Sequence, residues 1–175
     1  MKEHFTFLKS LLAIVLLIAS VTVKAVVVNG LNYKLDTDKL TAGITSGQAE
    51  TLSGTIIIPG TVTYLNMTFT VNSMPTDAFQ NCSNITAFDV PTSSYFSSAD
   101  GILFNADKTQ LICFPRGASI ASYTIPGSVA TISNFAFFSC TNLTSVTISN
   151  SVSTIKGWAF GLCSNLSTVS IGDKF

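Results

Sequence analysis

The sequence predicts a mainly β fold: a short solenoid of 23-residue repeats with parallel strands, a β-hairpin insert and an N-terminal β cap. Three observations predict it. Two consecutive 23-residue stretches are near copies of each other, the apolar positions that close each copy alternate, and no segment carries a long helical stripe with caps. Alternation of that kind marks a strand with one buried face. A single such strand cannot bury its apolar face, but stacked copies share a continuous core.

The first 25 residues have the layout of an export signal. Lys2 and Lys9 give a positive start, an uncharged apolar run extends from Leu11 to Val23, and Val23-Lys24-Ala25 offers small residues for cleavage. The run falls short of the ~20 residues that a spanning helix needs, which favours cleavage over an anchor. No Cys follows Ala25, so lipid-anchored maturation at this site is not expected. Cleavage leaves six basic and eight acidic side chains, a net charge of −2, and removes His4, the only histidine. With 47% hydrophobic and 10% charged residues, the chain is too apolar to be disordered. It has no basic stripe, so nucleic acid is excluded as a partner.

Residues 26–70 are expected to cap the array, because the first coil of a solenoid otherwise exposes its core. Val26-Val27-Val28 and Leu31-Asn32-Tyr33-Lys34-Leu35 flank Asn29-Gly30, the strongest short signal for a hairpin. Thr55-Ile56-Ile57-Ile58 and Met67-Thr68-Phe69-Thr70-Val71 read as two further strands.

The repeat array is placed at residues 71–175. Pro126–Ile148 and Ser149–Ile171 share 11 identities without a gap, among them Ala136/Ala159, Phe137/Phe160, Cys140/Cys163, Asn142/Asn165 and Leu143/Leu166. A weaker copy keeps the same offsets through Val71, Met74, Ala78, Phe79, Cys82, Asn84, Ile85, Phe88 and Val90. In each copy Ala allows close approach on the return arm and Phe fills the interior. Between the copies lies the insert, at about 92–118. There Gly101-Ile102-Leu103-Phe104 and Leu111-Ile112-Cys113-Phe114 flank a turn-rich stretch, a hairpin signal with a longer loop. Tyr123-Thr124-Ile125-Pro126 restarts the array.

The pattern Val-x-x-Ile-x-x-x-Ala-Phe-x-x-Cys-x-x-Leu-x-x-Val-x-Ile resembles the BspA-like leucine-rich repeat family. The insert from Tyr95 to Pro115 and the stretch Gly54–Pro59 resemble modules common in that family. The resemblance covers nearly all of the mature chain. It implies a leucine-rich-repeat solenoid and a secreted or cell-surface location. It implies adhesin-like binding of a protein or a surface glycan, host matrix proteins included. It brings no family-wide binding residues.

The chemistry-bearing residues point away from catalysis. Four cysteines in an exported chain suggest disulfides. Cys82, Cys140 and Cys163 occupy one repeat position, however, where side-by-side Cβ vectors suit a bridge poorly. With Cys113 they read as reduced, buried thiols that act as small hydrophobes. They lack the close pairs that structural zinc requires, so neither a metal nor any other cofactor is expected. A nucleophilic Ser needs a base, usually His, and the mature chain has none. Paired carboxylates on the insert, Asp100 and Asp107, or in the first copy, Asp77 and Asp89, leave a glycan-active enzyme as a minor alternative. Surface-turn Asp is the plainer reading, since Asp bonds its own backbone in loops. Sequons at Asn66, Asn81, Asn84, Asn142 and Asn165 are better explained by repeat geometry than by glycosylation.

Two surfaces remain. Ser145, Thr147, Thr168 and Ser170 should form an outward ladder on the strand face, which could bind an extended partner. It lacks the Tyr, Trp and Arg that dominate interface energies and so reads first as solvated sheet surface. Phe135 and Trp158 precede the Ala-Phe pair on neighbouring coils, where Phe138 extends an aromatic patch, and such patches often mark interaction sites. The competing reading packs these rings on the return arm or under a missing C-terminal segment. The final coil offers another partner: Leu166, Val169 and Ile171 border an open end through which copies would self-associate, as stalk or assembly units. A fragment of a longer surface protein would look the same.

Overall fold

The computed structural model describes residues 25–172, so the export-signal reading falls outside the described residues up to Lys24. Turn chemistry sets the first strands. β1 (Val26–Val28) and β2 (Leu31–Asp36) pair antiparallel around Asn29 and Gly30, whose φ values are 49° and 83°. Two positive φ angles match the strand twist, and Asn-Gly adopts them at little cost. β3 (Thr41–Ile44) pairs antiparallel with β2. After β4 (Ser53–Ile57), β5 (Thr61–Tyr64) and β6 (Met67–Ser73) form a second tight hairpin around Leu65-Asn66. One sheet of order β1-β2-β3-β6-β5 results, in which β3 and β6 run parallel.

Parallel pairing therefore begins earlier than residue 71, where the sequence places the start of the array. β7 (Asn84–Asp89) pairs parallel with β4, Ile56 lying opposite Phe88. Residues 41–57 make a coil stacked on residues 67–89. This coil lacks the Ala-Phe pair, which hides it in the sequence. Gln48 stands at the equivalent corner, its N–H donating to the Ala78 carbonyl at 3.1 Å. Its side chain is 2% exposed, yet every polar atom is used. Oε1 accepts from the Asn32 N–H at 2.9 Å, and Nε2 donates to the carbonyls of Asn32 and Thr45, both at 3.0 Å. A buried amide satisfied in this way locks the first hairpin onto the coil beside it.

The insert is a meander of β8 (Phe96–Ala99), β9 (Ile102–Asn105) and β10 (Gln110–Cys113). It continues the stack where the sequence suggests an interruption. β10 is antiparallel to β9 on one side and parallel to β12 (Thr131–Ile132) on the other. With β11 (Ser122–Thr124), β13 (Ser145–Ile148), β14 (Thr154–Ile155) and β15 (Thr168–Ile171), two parallel ladders follow, β10-β12-β14 and β11-β13-β15. Ser122, Ser145 and Thr168 lie side by side, as do Thr131 and Thr154, so the last coils advance by 23 residues. No helix occurs among the described residues.

Successive residues of a strand face opposite sides, and the insert uses both. Ile102, Phe104 and Leu111 join the core under the last coils, while Leu103 and Ile112 join the core of the N-terminal coils. In the second core the rings of Phe114, Phe137 and Phe160 stack coil on coil, at 5.0 and 4.7 Å. Ala136 and Ala159, 1% and 2% exposed, let the backbones approach beside them.

Candidate functional site

The corner between the two ladders shapes the aromatic surface. Phe135 and Ser139 have φ of 59°, and the same positions one coil later, Trp158 and Leu162, have 56° and 57°. Left-handed backbone costs an L-residue about 1–2 kcal/mol. Hydrogen bonds between coils hold it: the N–H groups of Phe135, Phe137 and Ser139 donate to the carbonyls of Gly157, Ala159 and Gly161 at 3.2, 2.7 and 2.7 Å. Ala136 and Phe137 turn inward and are buried. Trp158 and Leu162 remain 65% and 63% exposed.

Phe135, Phe138 and Trp158 come together, as the sequence suggests. The Phe135 and Phe138 rings meet edge to face at 5.6 Å, and Phe138 meets Trp158 at 6.3 Å. A Cβ on Gly161 would lie 2.8 Å from Trp158 Cε3 and 3.0 Å from Phe138 Cδ2, so both rings rest on bare backbone there. Two neighbours escape sequence reading. Leu162 stands beside the rings' shared Gly161. Arg116 places its guanidinium carbon 5.0 Å from the Phe138 ring centre, a cation–π distance. Partial burial lowers the Arg116 pKa. Neither was recoverable: the position one coil before Leu162 holds Ser139, and β10 and β12 are offset by 21 residues, which breaks the count at Arg116.

The Ser/Thr ladder is a separate surface on β13 and β15. Ser145 is half-buried and its Oγ donates to Ser122 Oγ at 2.8 Å, while Thr147, Thr168 and Ser170 are exposed. At the outer edge of the same coil Ile155, Val169 and Ile171 are about half exposed.

The remaining candidates have structural roles. Cys82, Cys113, Cys140 and Cys163 are free thiols. Burial raises the pKa of all four, Cys113 to about 12. Cys163 Sγ donates to the Phe137 carbonyl at 2.9 Å. Among the described residues no cluster of His, Cys, Asp and Glu suits a metal ion. Asp107 Oδ1 accepts from the Thr109 hydroxyl at 2.7 Å and from its N–H at 3.2 Å, which holds the carboxyl below the usual range. Asp77 Oδ1 accepts from Ser46 Oγ at 2.8 Å. The side-chain amides of Asn142 and Asn165 donate to the carbonyls of Ala118 and Thr141, one coil back.

Coils of this kind define a leucine-rich repeat protein. Residues 107–175 match the family described as the BspA type leucine-rich repeat region (6 copies). Three solved bacterial structures share the fold. The pneumococcal vaccine antigen PcpA aligns at 24% identity with a TM-score of 0.59, over 68% of this chain and 27% of its own. A leucine-rich repeat protein from Eubacterium ventriosum aligns at 18% and 0.51, over 69% and 36%. A leucine-rich cell surface protein from Faecalibacterium prausnitzii aligns at 15% and 0.50, over 86% and 77%. The chain thus spans about a quarter and a third of the first two. No curated protein matches it.

Proposed function

We propose that this chain is an exported or cell-surface leucine-rich repeat module that binds a protein or glycan partner and performs no catalysis. One observation carries the reading: Trp158 is 65% exposed beside Phe138 and Phe135, on backbone that disfavours large side chains. Strained backbone held by surrounding structure clusters at functional sites. Trp and other aromatic side chains dominate interface energies. The layout of residues 1–25 supports export, and likeness in fold to a leucine-rich cell surface protein is in keeping with the location. The test is a panel of immobilised matrix proteins and cell-surface glycans probed with wild-type protein and Trp158→Ala. Capture by one member, lost in the variant while its cooperative unfolding persists, is the expected result. Capture by none would sink the reading.

A second reading is strand addition on the last described coil, favoured by the half-exposed Val169 and Ile171 of β15 and Ile155 of β14. Open strand edges pair readily. Light scattering at rising concentration tests it: a ladder of sizes is expected, and a constant monomer counts against it.

A further inference from the structure

We propose that Arg116, Phe135, Phe138, Trp158 and Leu162 form a docking surface for a segment of a partner protein in which an acidic side chain adjoins a large apolar one. The inference rests on the binding role proposed above and names the partner's chemistry. The acidic residue would engage the Arg116 guanidinium, and the apolar side chain would cover Trp158 and Leu162.

Charge gives the first reason. Arg116 is the only arginine in the sequence. Its guanidinium lies over Phe138 and is partly desolvated, yet among the described residues it forms no ion pair; the one found joins Lys39 to Asp36. A desolvated cation gains most from a carboxylate that it can bind through two parallel N–H groups. The surrounding half of the chain is poor in acid: residues 101–172 hold Lys108, Arg116 and Lys156 against Asp107 alone, and Asp107 is occupied by Thr109. Lys156 is exposed two residues before Trp158. Residues 26–100 hold six acidic and two basic side chains, so the rings sit on the basic half of the described residues.

Side-chain chemistry gives the second. Phe135, Phe138 and Leu162 have no polar side-chain atom, and Trp158 has only its indole N–H. A glycan presents a hydroxyl on nearly every carbon, and these four side chains offer it only the indole N–H as a hydrogen-bond partner. Apolar side chains make no such demand, and Trp with Arg is the composition of an interface hot spot.

Backbone geometry gives the third. Trp158 and Leu162 occupy left-handed positions where Gly or Asn would fold more easily, and Gly161 between them leaves the space in which the Trp158 ring lies. Folding alone favours neither large side chain at these places.

Trp158 is the only tryptophan, so its emission reports directly on the surface. A short peptide alternating leucine and glutamate, titrated into the purified protein, should give a saturable blue shift that weakens with added salt. Arg116→Gln should weaken binding about tenfold, the loss expected for a charge-assisted contact, while free-protein emission stays unchanged. The same peptide with lysine for glutamate should not bind. Equal binding of the lysine peptide, unchanged affinity in Arg116→Gln, or binding of oligogalacturonate in place of the peptide would each overturn the proposal. Should Arg116→Gln fail to fold, the charge-reversed peptide on wild-type protein still decides. Capture from the panel that depends on Trp158, with no response to the acidic peptide, would remove this inference and leave the binding role standing; no capture at all would remove both.

Discussion

The rings of Phe137 and Phe160 lie 4.7 Å apart with their planes 12° from parallel, one coil above the other. Phe137 is fully buried between Phe114 and Phe160, whereas Phe160 is half-buried. Truncating a buried Phe costs about 3–5 kcal/mol through lost transfer energy and the cavity left behind. Phe137→Ala should fall in that range by urea unfolding, and Phe160→Ala should cost clearly less. Equal losses would show that Phe160 is as enclosed as its neighbour.

Trp158 adopts a φ of 56°. Glycine accepts that backbone freely and alanine does not. Trp158→Gly should therefore be more stable than Trp158→Ala by about 1 kcal/mol, the lower end of the left-handed penalty. Thermal melts of the two variants check this; a more stable alanine variant would mean that the corner relaxes once the ring is gone.

At Gly161 an added methyl group would press on Trp158 and Phe138, both of them near the surface. Gly161→Ala should shift Trp158 emission to the red and raise its quenching by acrylamide, with a change in stability within about 1 kcal/mol. Unchanged emission would place the indole elsewhere.

The parts of this fold that were legible in the sequence are those where side chains repeat. Ser145 opposite Thr168 and Thr131 opposite Thr154 restate, as register, the 23-residue spacing of the identities. The hairpins at Asn29-Gly30 and around residues 102–114 were legible from turn chemistry and apolar runs. What escaped lacked repetition. The coil at residues 41–57 carries Gln48 where later coils carry Ala-Phe, and only its hydrogen bonds reveal the equivalence. The aromatic trio was legible because Phe135 and Trp158 share an offset. Arg116 was not, because its contact with Phe138 depends on how the insert meets the array, which no periodicity encodes.

Gln48 itself offers a test. Replacing it with Leu keeps the volume but leaves the part-buried Asn32 N–H without its acceptor. An unsatisfied buried donor costs about 1–3 kcal/mol. Gln48→Leu should destabilise within that range and increase hydrogen exchange in β1 and β2 first. Uniform exchange across the chain would contradict a local lock.

Alkaline pH should weaken the fold. Burial holds Cys113 up at about 12 from an ordinary 9.0, and Tyr33 and Tyr123 up at about 12 from 10.0. Between those limits the unfolded chain binds fewer protons than the folded one, so stability falls as pH rises. The contribution is complete below about pH 9 and is lost progressively towards about pH 12. Urea midpoints measured across that window should decline. A flat profile would show that the three groups ionise freely in the folded protein.

β9 and β10 send Ile102, Phe104 and Leu111 into one core and Leu103 and Ile112 into the other. A string of independent beads would melt bead by bead. These two strands instead serve as a party wall, and neither room can lose it alone. Emptying either room therefore bares a face of the wall on which the other rests.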